Sequence, residues 1–191
     1  MEGLSLDNKK INILISKEQI EERIIQLGAE ISKDYSDKKL YVLSLLRGSF
    51  IYTADLVRQI TVPTKIGFMT TSSYGDAQQS KGSVNVVNDI PDNIEGFDVL
   101  IVDDIVDTGI TMDFIMARVR SLGAESVKSC VLLNKIDRRK VDIIPDYCCF
   151  EIPDLFVVGY GLNYGDYYRN IPYVFNWENQ QTDTSDLLVK N

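Results

Sequence analysis

Three carboxylates lie close together in the chain, where a short apolar run gives way to a Thr-Gly turn. Residues 99–112 read VLIVDDIVDTGITM, and the acids are Asp103, Asp104 and Asp107. Four consecutive apolar residues are typical of one buried strand, and the turn predicts a helix whose free N–H groups can hold a phosphate. The carboxylates can accept hydrogen bonds from sugar hydroxyls or bind a cation. The whole segment therefore favours a site for a phosphorylated sugar over a solvated acidic turn.

The composition limits the chemistry in which these acids can take part. The chain of 191 residues contains no histidine, which excludes Ser-His and Cys-His nucleophilic schemes and every imidazole metal ligand. Any metal site must use oxygen ligands, which favours Mg²⁺ or Mn²⁺ over zinc. The formal net charge of −8 argues against a nucleic-acid partner, because binding to a phosphate backbone needs a basic face.

The bulk features predict one soluble domain in the cytoplasm. No run approaches the ~18 apolar residues of a membrane span, and the first residues, MEGLSLDNKK, lack the apolar core of a signal peptide. The cysteines, Cys130, Cys148 and Cys149, lie in apolar runs and are expected to be reduced, buried thiols. We expect a single domain over residues 1–191, with a core at about residues 10–175 and a polar tail at about residues 178–191.

The elements around the acidic segment alternate between strands and helices. Ser16 and Gln19 form a capping-box pattern that predicts the start of the first helix. Residues 71–82 are small and polar, which predicts a long functional loop. The alternation predicts a mostly parallel sheet with helices on both faces and with ligands at the carboxyl ends of its strands. The predicted strands cover residues 40–46, 65–70, 83–87, 98–102, 126–133, 147–151 and 156–159, and the later helices cover residues 50–60 and 111–122.

Strand geometry also predicts how the adjacent acids are oriented. Successive side chains of a strand point to opposite faces, so Asp103 and Asp104 are expected on opposite sides. One of them would contact the ligand directly, and the other would orient that carboxylate or a cation.

The acidic segment resembles the phosphoribosyl-diphosphate signature of the type I phosphoribosyltransferases, and the rest of the chain narrows the resemblance to the hypoxanthine-guanine phosphoribosyltransferases. The resemblance covers roughly residues 13–173. It implies an α/β type I phosphoribosyltransferase fold: a mostly parallel twisted sheet flanked by helices, with a small hood lobe and a flexible loop. The further matching segments are LLRGSF at 45–50, SSYG at 72–75, Lys135 after VLLN, and IPDLFVVGYGLNYGDYYRNIPY at 152–173.

The resemblance implies a transferase of purine salvage. Such an enzyme moves ribose 5-phosphate from 5-phosphoribosyl 1-diphosphate to N9 of hypoxanthine, and by expectation of guanine, giving IMP or GMP and pyrophosphate. It implies Mg²⁺ as cofactor and a homodimer or homotetramer as the assembly, without a nucleic-acid or membrane partner. The order of preference among hypoxanthine, guanine and xanthine stays open.

The resemblance also assigns the residues that bind the sugar and the diphosphate. Asp103 and Asp104 match an acidic pair that binds the ribose hydroxyls, and they would hold the metal directly or through water. Asp107 matches the carboxylate that handles the proton at purine N7, which is general acid–base work; by itself it could also be an N-cap. The Leu46–Arg47 peptide is often cis in the family. The remaining phosphoribosyl-diphosphate ligands are Leu46, Arg47, Gly48, Thr108, Gly109, Ile110, Thr111 and Arg169.

A second group of residues matches the purine-binding positions of the family. Lys135 matches the lysine that reads the 6-oxo group, because an ammonium donates to oxygen and accepts nothing from an amino group. Phe156 matches the aromatic residue that stacks on the purine, although its pattern alone indicates a core residue. Val157 matches the residue whose backbone meets the base edge. Asn163 departs from the family, which usually has an Asp here that ligates a second Mg²⁺.

The loop residues Ser73 and Tyr74 match a mobile segment that closes over the reaction and excludes water, and a plain surface turn is the alternative. Two other protein classes compete with the transferase. LIVDD also begins phosphorylation-controlled receiver domains, but their acceptor position would fall on Gly159, which has no side chain. The other is a non-catalytic relative that binds RNA, against which the acidic charge and the intact Asp107 and Lys135 argue. The glycines near 159–165 have the wrong spacing for a dinucleotide fingerprint.

Overall fold

The computed structural model describes residues 12–72, 85–90, 92–165 and 167–177. The predicted loop residues Ser73 and Tyr74 and the tail at about residues 178–191 lie outside this part of the chain. The strands are β1 (Asn12–Ile15), β2 (Leu40–Leu46), β3 (Thr64–Ser72), β4 (Asn85–Asn88), β5 (Asp98–Val106), β6 (Ser126–Lys135), β7 (Tyr147–Ile152), β8 (Val157–Val158) and β9 (Val174–Asn176), and the helices are α1 (Lys17–Asp34), α2 (Phe50–Val57) and α3 (Ile110–Ser121).

The larger of the two sheets has six strands in the order β4-β3-β2-β5-β6-β7. β3, β2, β5, β6 and β7 run parallel, and β4 is an antiparallel edge strand beside β3. Every residue of β2 from Leu40 to Leu45 is buried, as expected for a parallel strand covered on both faces. The predicted mostly parallel sheet is confirmed.

The side chains of β5 alternate between two apolar cores, one on each face of the sheet. Leu100 and Val102 pack with residues of α1 and α2, whereas Val99 and Ile101 pack with residues of α3. This alternation follows from the strand period of two. It fixes β5 between three helices, so the acids at its carboxyl end stand on a rigid support.

Helix ends follow the local sequence closely. Ser16 caps α1 through the complete capping box with Gln19, as predicted. α3 begins after Gly109, which has φ of 83°, and the chain leaves it through Gly123, with φ of 84°; a left-handed conformation of this kind favours glycine. α2 ends at Val57, earlier than predicted, and the chain leaves it through a turn in which the Gln59 N–H donates to the Leu56 carbonyl at 2.9 Å.

β5 and β6 are longer than predicted, because pairing between them continues past their apolar cores. β5 extends to Val106 and β6 to Lys135, with Asp103 opposite Val131 and Val106 opposite Asn134. The hydrogen-bonded pairing of β5 with β6 therefore includes polar residues, such as Asp103, that the sequence pattern places in a turn. The acidic pair belongs to the strand itself.

A second sheet of three short antiparallel strands, in the order β1-β9-β8, forms a small lobe that the resemblance implied and hydrophobic spacing did not. Ile13 pairs with Phe175, and Val157 pairs with Asn176, so distant parts of the chain meet here. We call β1 and the described residues of the segment 156–177 the hood. The hood meets the main sheet at Gly161, where a Cβ would overlap the Gly48 carbonyl oxygen.

All three cysteines are free, as predicted; Cys130 and Cys149 are also buried as expected, whereas Cys148 is only half-buried. Burial raises the pKa of Cys148 to about 11 and that of Cys149 to about 12. These thiols are therefore protonated and weakly reactive near neutral pH. In the described part of the chain, no helix is long and apolar enough to cross a membrane.

Candidate active site

A cavity of about 920 Å³ opens at the carboxyl ends of β2, β5 and β6, with the hood on one side. This is the place where ligands bind in open α/β sheets. Ile110, the first residue of α3, is not part of the wall, and its N–H lies 3.5 Å from Thr108 Oγ1. The predicted site residues that line the wall are Leu46, Arg47, Gly48, Asp103, Asp104, Asp107, Thr108, Gly109, Thr111, Lys135, Phe156, Val157, Asn163 and Arg169.

The prediction that Asp103 and Asp104 point to opposite sides is wrong, since both line the one cavity. The Asp104 N–H donates to Asp103 Oδ1 at 2.9 Å, and the Ile105 N–H donates to Asp104 Oδ1 at 3.0 Å. Each carboxylate folds back onto the N–H of the next residue, a local bond typical of aspartate. The two side chains therefore come together where strand alternation would separate them.

Burial sets the electrostatics of this pair. It raises the pKa of Asp103 well above the ordinary range, and the neighbouring charge of Asp104 raises it further. Burial also raises the pKa of Asp104. Two adjacent carboxylates thus share a site that disfavours their ionised forms. A cation or hydroxyl donors in the cavity would relieve this repulsion.

Residues 46–48, which the resemblance assigns to diphosphate binding, are here called the diphosphate loop, and this loop packs on the acidic pair at Gly48. A Cβ at Gly48 would overlap the Asp104 carboxylate, and Gly161 of the hood approaches the Gly48 carbonyl oxygen. Arg169 Nη1 in turn donates to the Gly161 carbonyl oxygen at 2.6 Å. The Leu46–Arg47 peptide is cis, as the resemblance implied. The loop therefore lies against the Asp104 side chain and meets the hood backbone to backbone, and the Gly161 carbonyl holds Arg169 at the wall.

Asp107 does not cap α3, so the N-cap alternative for this residue is wrong. The N-cap is Gly109, and no side chain bonds to it. Among the described residues, Asp107 Oδ1 is buried without a hydrogen-bond partner, and its nearest cation is Arg138, with Nε at 3.5 Å. Asp107 thus lines the cavity with a carboxylate that faces Arg138.

The Thr-Gly turn expected to hold a phosphate, residues 108–111, is here called the phosphate loop. The loop between β6 and β7 packs on its residues Thr108 and Gly109. The Lys140 N–H donates to the Thr108 carbonyl at 2.9 Å. A Cβ at Gly109 would overlap Ile143 and crowd Val141, so only glycine fits this contact. Arg139 fastens the loop by donating to the Ile143 carbonyl at 2.6 Å. The phosphate loop and the end of β6 are therefore held in one arrangement.

Sequence reasoning missed a group of charges beside the predicted lysine. Lys135 is 6% exposed, and its Nζ lies 3.5 Å from Asp154 Oδ1. Arg138 Nη1 lies 3.8 Å from the same oxygen, so Arg138 stands between Asp154 and Asp107. The signal was present, since Arg138 follows Lys135 by three positions. The other wall residues that were missed are Leu45, Thr70, Ile105, Val106, Met112 and Leu162.

The hood supplies the aromatic wall of the cavity. Phe156 is 46% exposed, so the core role that its pattern indicates is wrong. Val157 is buried directly after it. The Asn163 amide nitrogen donates to the Gly165 carbonyl, which turns this side chain toward its own loop.

Comparison with known proteins decides the family. The model of the phosphoribosyl transferase domain matches residues 13–165. The chain belongs to the phosphoribosyl transferase family. This membership agrees with the geometry, because the phosphate loop, the acidic pair and the hood face one cavity.

The relatives of this phosphoribosyltransferase bear names from one branch of the family. The hypoxanthine-guanine phosphoribosyltransferase of Bacillus subtilis (strain 168) is 41% identical over 162 residues, 85% of this chain and 90% of that protein. The hypoxanthine-guanine phosphoribosyltransferase of Aquifex aeolicus is 44% identical over 168 residues, 87% of this chain and 94% of that protein. A crystal structure of a hypoxanthine phosphoribosyltransferase from Staphylococcus aureus superposes with a TM-score of 0.83 at 40% identity, covering 86% and 90% of the two chains.

The repulsion within the acidic pair predicts that Asp103→Asn stabilises the free protein. The amide oxygen can still accept the Asp104 N–H, while one of two half-buried charges is lost. At pH 7 the midpoint of thermal unfolding should rise, by about 2–4 °C if the gain is ~1 kcal/mol. The difference should shrink as the pH falls, because the raised pKa leaves the wild-type pair protonated there.

The matched control is Asp137→Asn, at an exposed position outside the cavity wall, which should change stability by less than ~0.5 kcal/mol. A lower unfolding temperature for Asp103→Asn at pH 7, with Asp137→Asn unchanged, would show that the ionised pair stabilises the fold.

Proposed function

We propose that this phosphoribosyltransferase moves ribose 5-phosphate from 5-phosphoribosyl 1-diphosphate to N9 of hypoxanthine, and also of guanine, giving IMP or GMP and pyrophosphate. The observation that carries the proposal is the shared cavity of a phosphate loop, an acidic pair, a lysine and an exposed aromatic ring. The names of the relatives support the same substrates.

The sugar half of the cavity is built by β5, α3 and the diphosphate loop. N–H groups at the start of α3, with the hydroxyls of Thr108 and Thr111, bind the 5′-phosphate. Asp103 and Asp104 accept hydrogen bonds from the ribose hydroxyls. Arg47 and Arg169 bind the diphosphate, because a guanidinium matches phosphate oxygens in charge and in fork geometry.

The acidic pair also fits Mg²⁺. In the described part of the chain, no group of three or more Cys, Asp and Glu side chains could hold a metal ion. Mg²⁺ nevertheless suits Asp103 and Asp104, since it commonly binds one or two carboxylates and takes its other ligands from water and substrate phosphates. When bound, it stabilises the negative charge that develops on the departing pyrophosphate.

The purine half is built by the end of β6 and by the hood. Phe156 offers its ring to the base, the Val157 backbone meets the base edge, and Lys135 donates to the 6-oxo oxygen. Asp107 accepts the N7 proton while N9 bonds to C1′ and the bond from C1′ to the diphosphate oxygen breaks. The positive charge that develops on the sugar is stabilised by the neighbouring carboxylates.

Several further expectations belong to this proposal. The chain acts as one domain and as a homodimer or homotetramer, without nucleic acid or a membrane, in agreement with its net charge of −8. Free cysteines fit the reducing cytoplasm. Ser73 and Tyr74 belong to the loop that would exclude water during transfer.

The first prediction from this mechanism is that turnover requires a hard divalent cation. A spectrophotometric assay with hypoxanthine and 5-phosphoribosyl 1-diphosphate should show activity in Mg²⁺, none after EDTA, and recovery when Mg²⁺ is added back. Turnover that persists in metal-free buffer would contradict the role given to the acidic pair. If Asn163 is the place of a second cation, Asn163→Asp should lower the Mg²⁺ concentration for half activity, and no change would exclude its side chain as a ligand.

A second prediction concerns Asp107. Asp107→Asn preserves the size of the side chain and removes its basicity, so kcat should fall by ~10²–10⁴-fold, the range of general acid–base catalysis. The KM for 5-phosphoribosyl 1-diphosphate should change little, because the sugar ligands are intact. An Asn variant that turns over as fast as the wild type would refute this assignment.

A third prediction is that Lys135 determines how efficiently the enzyme uses a 6-oxopurine. A hydrogen bond to a charged group contributes ~1.5–3 kcal/mol, so Lys135→Ala should lower kcat/KM for hypoxanthine by about ten- to a hundredfold. Adenine should stay a poor substrate, because loss of a donor creates no acceptor for its amino group. Measuring kcat/KM for both bases checks this, and an unaltered value for hypoxanthine would mean that another group reads the 6-oxo oxygen.

A further inference from the structure

A stack of aromatic rings stands behind Phe156 in the hood. The Tyr164 ring meets Phe156 edge to face, with centroids 6.0 Å apart and planes at 87°. Tyr164 also lies flat on Trp177, with centroids 4.3 Å apart and planes at 22°. Both geometries are favourable for aromatic pairs. We call Tyr164 and Trp177 the aromatic brace.

The brace is anchored in the buried part of the hood. The backbone N–H of Trp177 donates to the Phe156 carbonyl at 2.8 Å, and the rings of these two residues are linked through Tyr164. The Trp177 ring lies 6.1 Å from that of Phe175, which is fully buried in β9. Phe156 is thus connected to the core of the hood through Tyr164 and Trp177.

Such an arrangement matters because Phe156 faces an open cavity. An exposed phenylalanine samples several rotamers, and fixing one of them when a ligand binds costs conformational entropy. The brace removes that freedom beforehand. Tyr164 and Trp177 do not line the cavity and so do not touch a ligand there themselves.

We propose that Tyr164 and Trp177 are positioning residues for the purine: they hold the Phe156 ring in the orientation that stacks on the base. This inference rests on the proposed function, in which Phe156 stacks on the purine. It goes further, because it makes the affinity for the base depend on two residues that are not among those lining the cavity. It also makes Trp177, the one tryptophan of the chain, a reporter of base occupancy.

The kinetic experiment separates positioning from a general role in folding. Tyr164→Leu removes both ring contacts, and KM for hypoxanthine should rise about threefold to tenfold, the effect of one aromatic pair. KM for 5-phosphoribosyl 1-diphosphate should stay within about twofold, because the sugar ligands lie on β5, α3 and the diphosphate loop. Tyr164→Phe retains the ring and should restore the wild-type value.

Tyr167→Leu is the matched control. Its ring is 74% exposed and pairs with Tyr168 rather than with Phe156, so both KM values should equal those of the wild type. Equal rises in both KM values for Tyr164→Leu, or no rise for hypoxanthine, would overturn the proposal. So would a Tyr164→Phe variant as impaired as Tyr164→Leu.

Trp177 fluorescence gives a second readout that does not depend on turnover or on the folding of Tyr164→Leu. Titration of the wild-type protein with IMP should change the emission, whereas ribose 5-phosphate, which lacks the base, should not. If the Trp177 emission does not change with IMP, or changes equally with IMP and with ribose 5-phosphate, the proposed role of Tyr164 and Trp177 is wrong. If wild-type enzyme turns over hypoxanthine while these results fail, only this inference falls; an enzyme without turnover removes the proposed function itself.

Discussion

Repulsion between two adjacent, half-buried carboxylates is the constraint on which the rest of the site depends. Asp103 and Asp104 share one wall, and burial raises the pKa of both. A chain can hold such a pair only on a rigid support that also supplies hydrogen bonds to the carboxylates. β5 supplies both, since its own N–H groups bind the side chains and apolar cores pack on its two faces.

The same constraint explains the close approach of backbone around the acids. The diphosphate loop reaches Asp104 through a glycine, and the hood reaches that loop through a second glycine. Side chains at Gly48 or Gly161 would separate the three parts and move Arg169 away from the pair, because Arg169 is held by the Gly161 carbonyl. The positively charged Arg169 side chain is therefore held near the acidic pair by close backbone contacts.

Local sequence predicts the elements whose signals are complete within one segment. The capping box at Ser16 and the apolar run of β2 are of this kind, and both are confirmed. Signals that depend on a distant partner were missed: β5 and β6 extend past their apolar runs because they pair with each other. In the hood, the strand predicted over residues 156–159 is present as Val157–Val158, whereas β1 and β9 are too short to show a periodicity and were not predicted.

The same distinction holds within the site. Within the proposed sugar half, residues 103–111 are contiguous in sequence, whereas Arg47 and Arg169 come from distant parts of the chain, and all of them line one cavity except Ile110. The orientation of Asp104 depends on a hydrogen bond to the backbone that strand alternation does not predict. Arg138 and Asp154 come from separate loops, and the fold brings them together as an ion pair. Arg138 also pairs with Asp107, and Asp154 also pairs with Lys135. Residues such as Arg138 and Asp154, which lie outside the recognisable motifs, show no sequence pattern from which their place beside the site could be predicted.

The residues proposed to bind the sugar and those proposed to bind the base belong to different parts of the fold, and this separation has a physical consequence. The acids and the phosphate loop belong to β5 and α3, whose side chains fill the cores of the main sheet. Phe156 belongs to the hood, whose rings pack mainly on one another. A substitution among those rings therefore changes the surface offered to the base without altering the backbone around the acidic pair. Arg138, between Asp107 and Asp154, is a point where the halves meet, because its charge faces both the carboxylate proposed to move the proton and the partner of the lysine proposed to read the base.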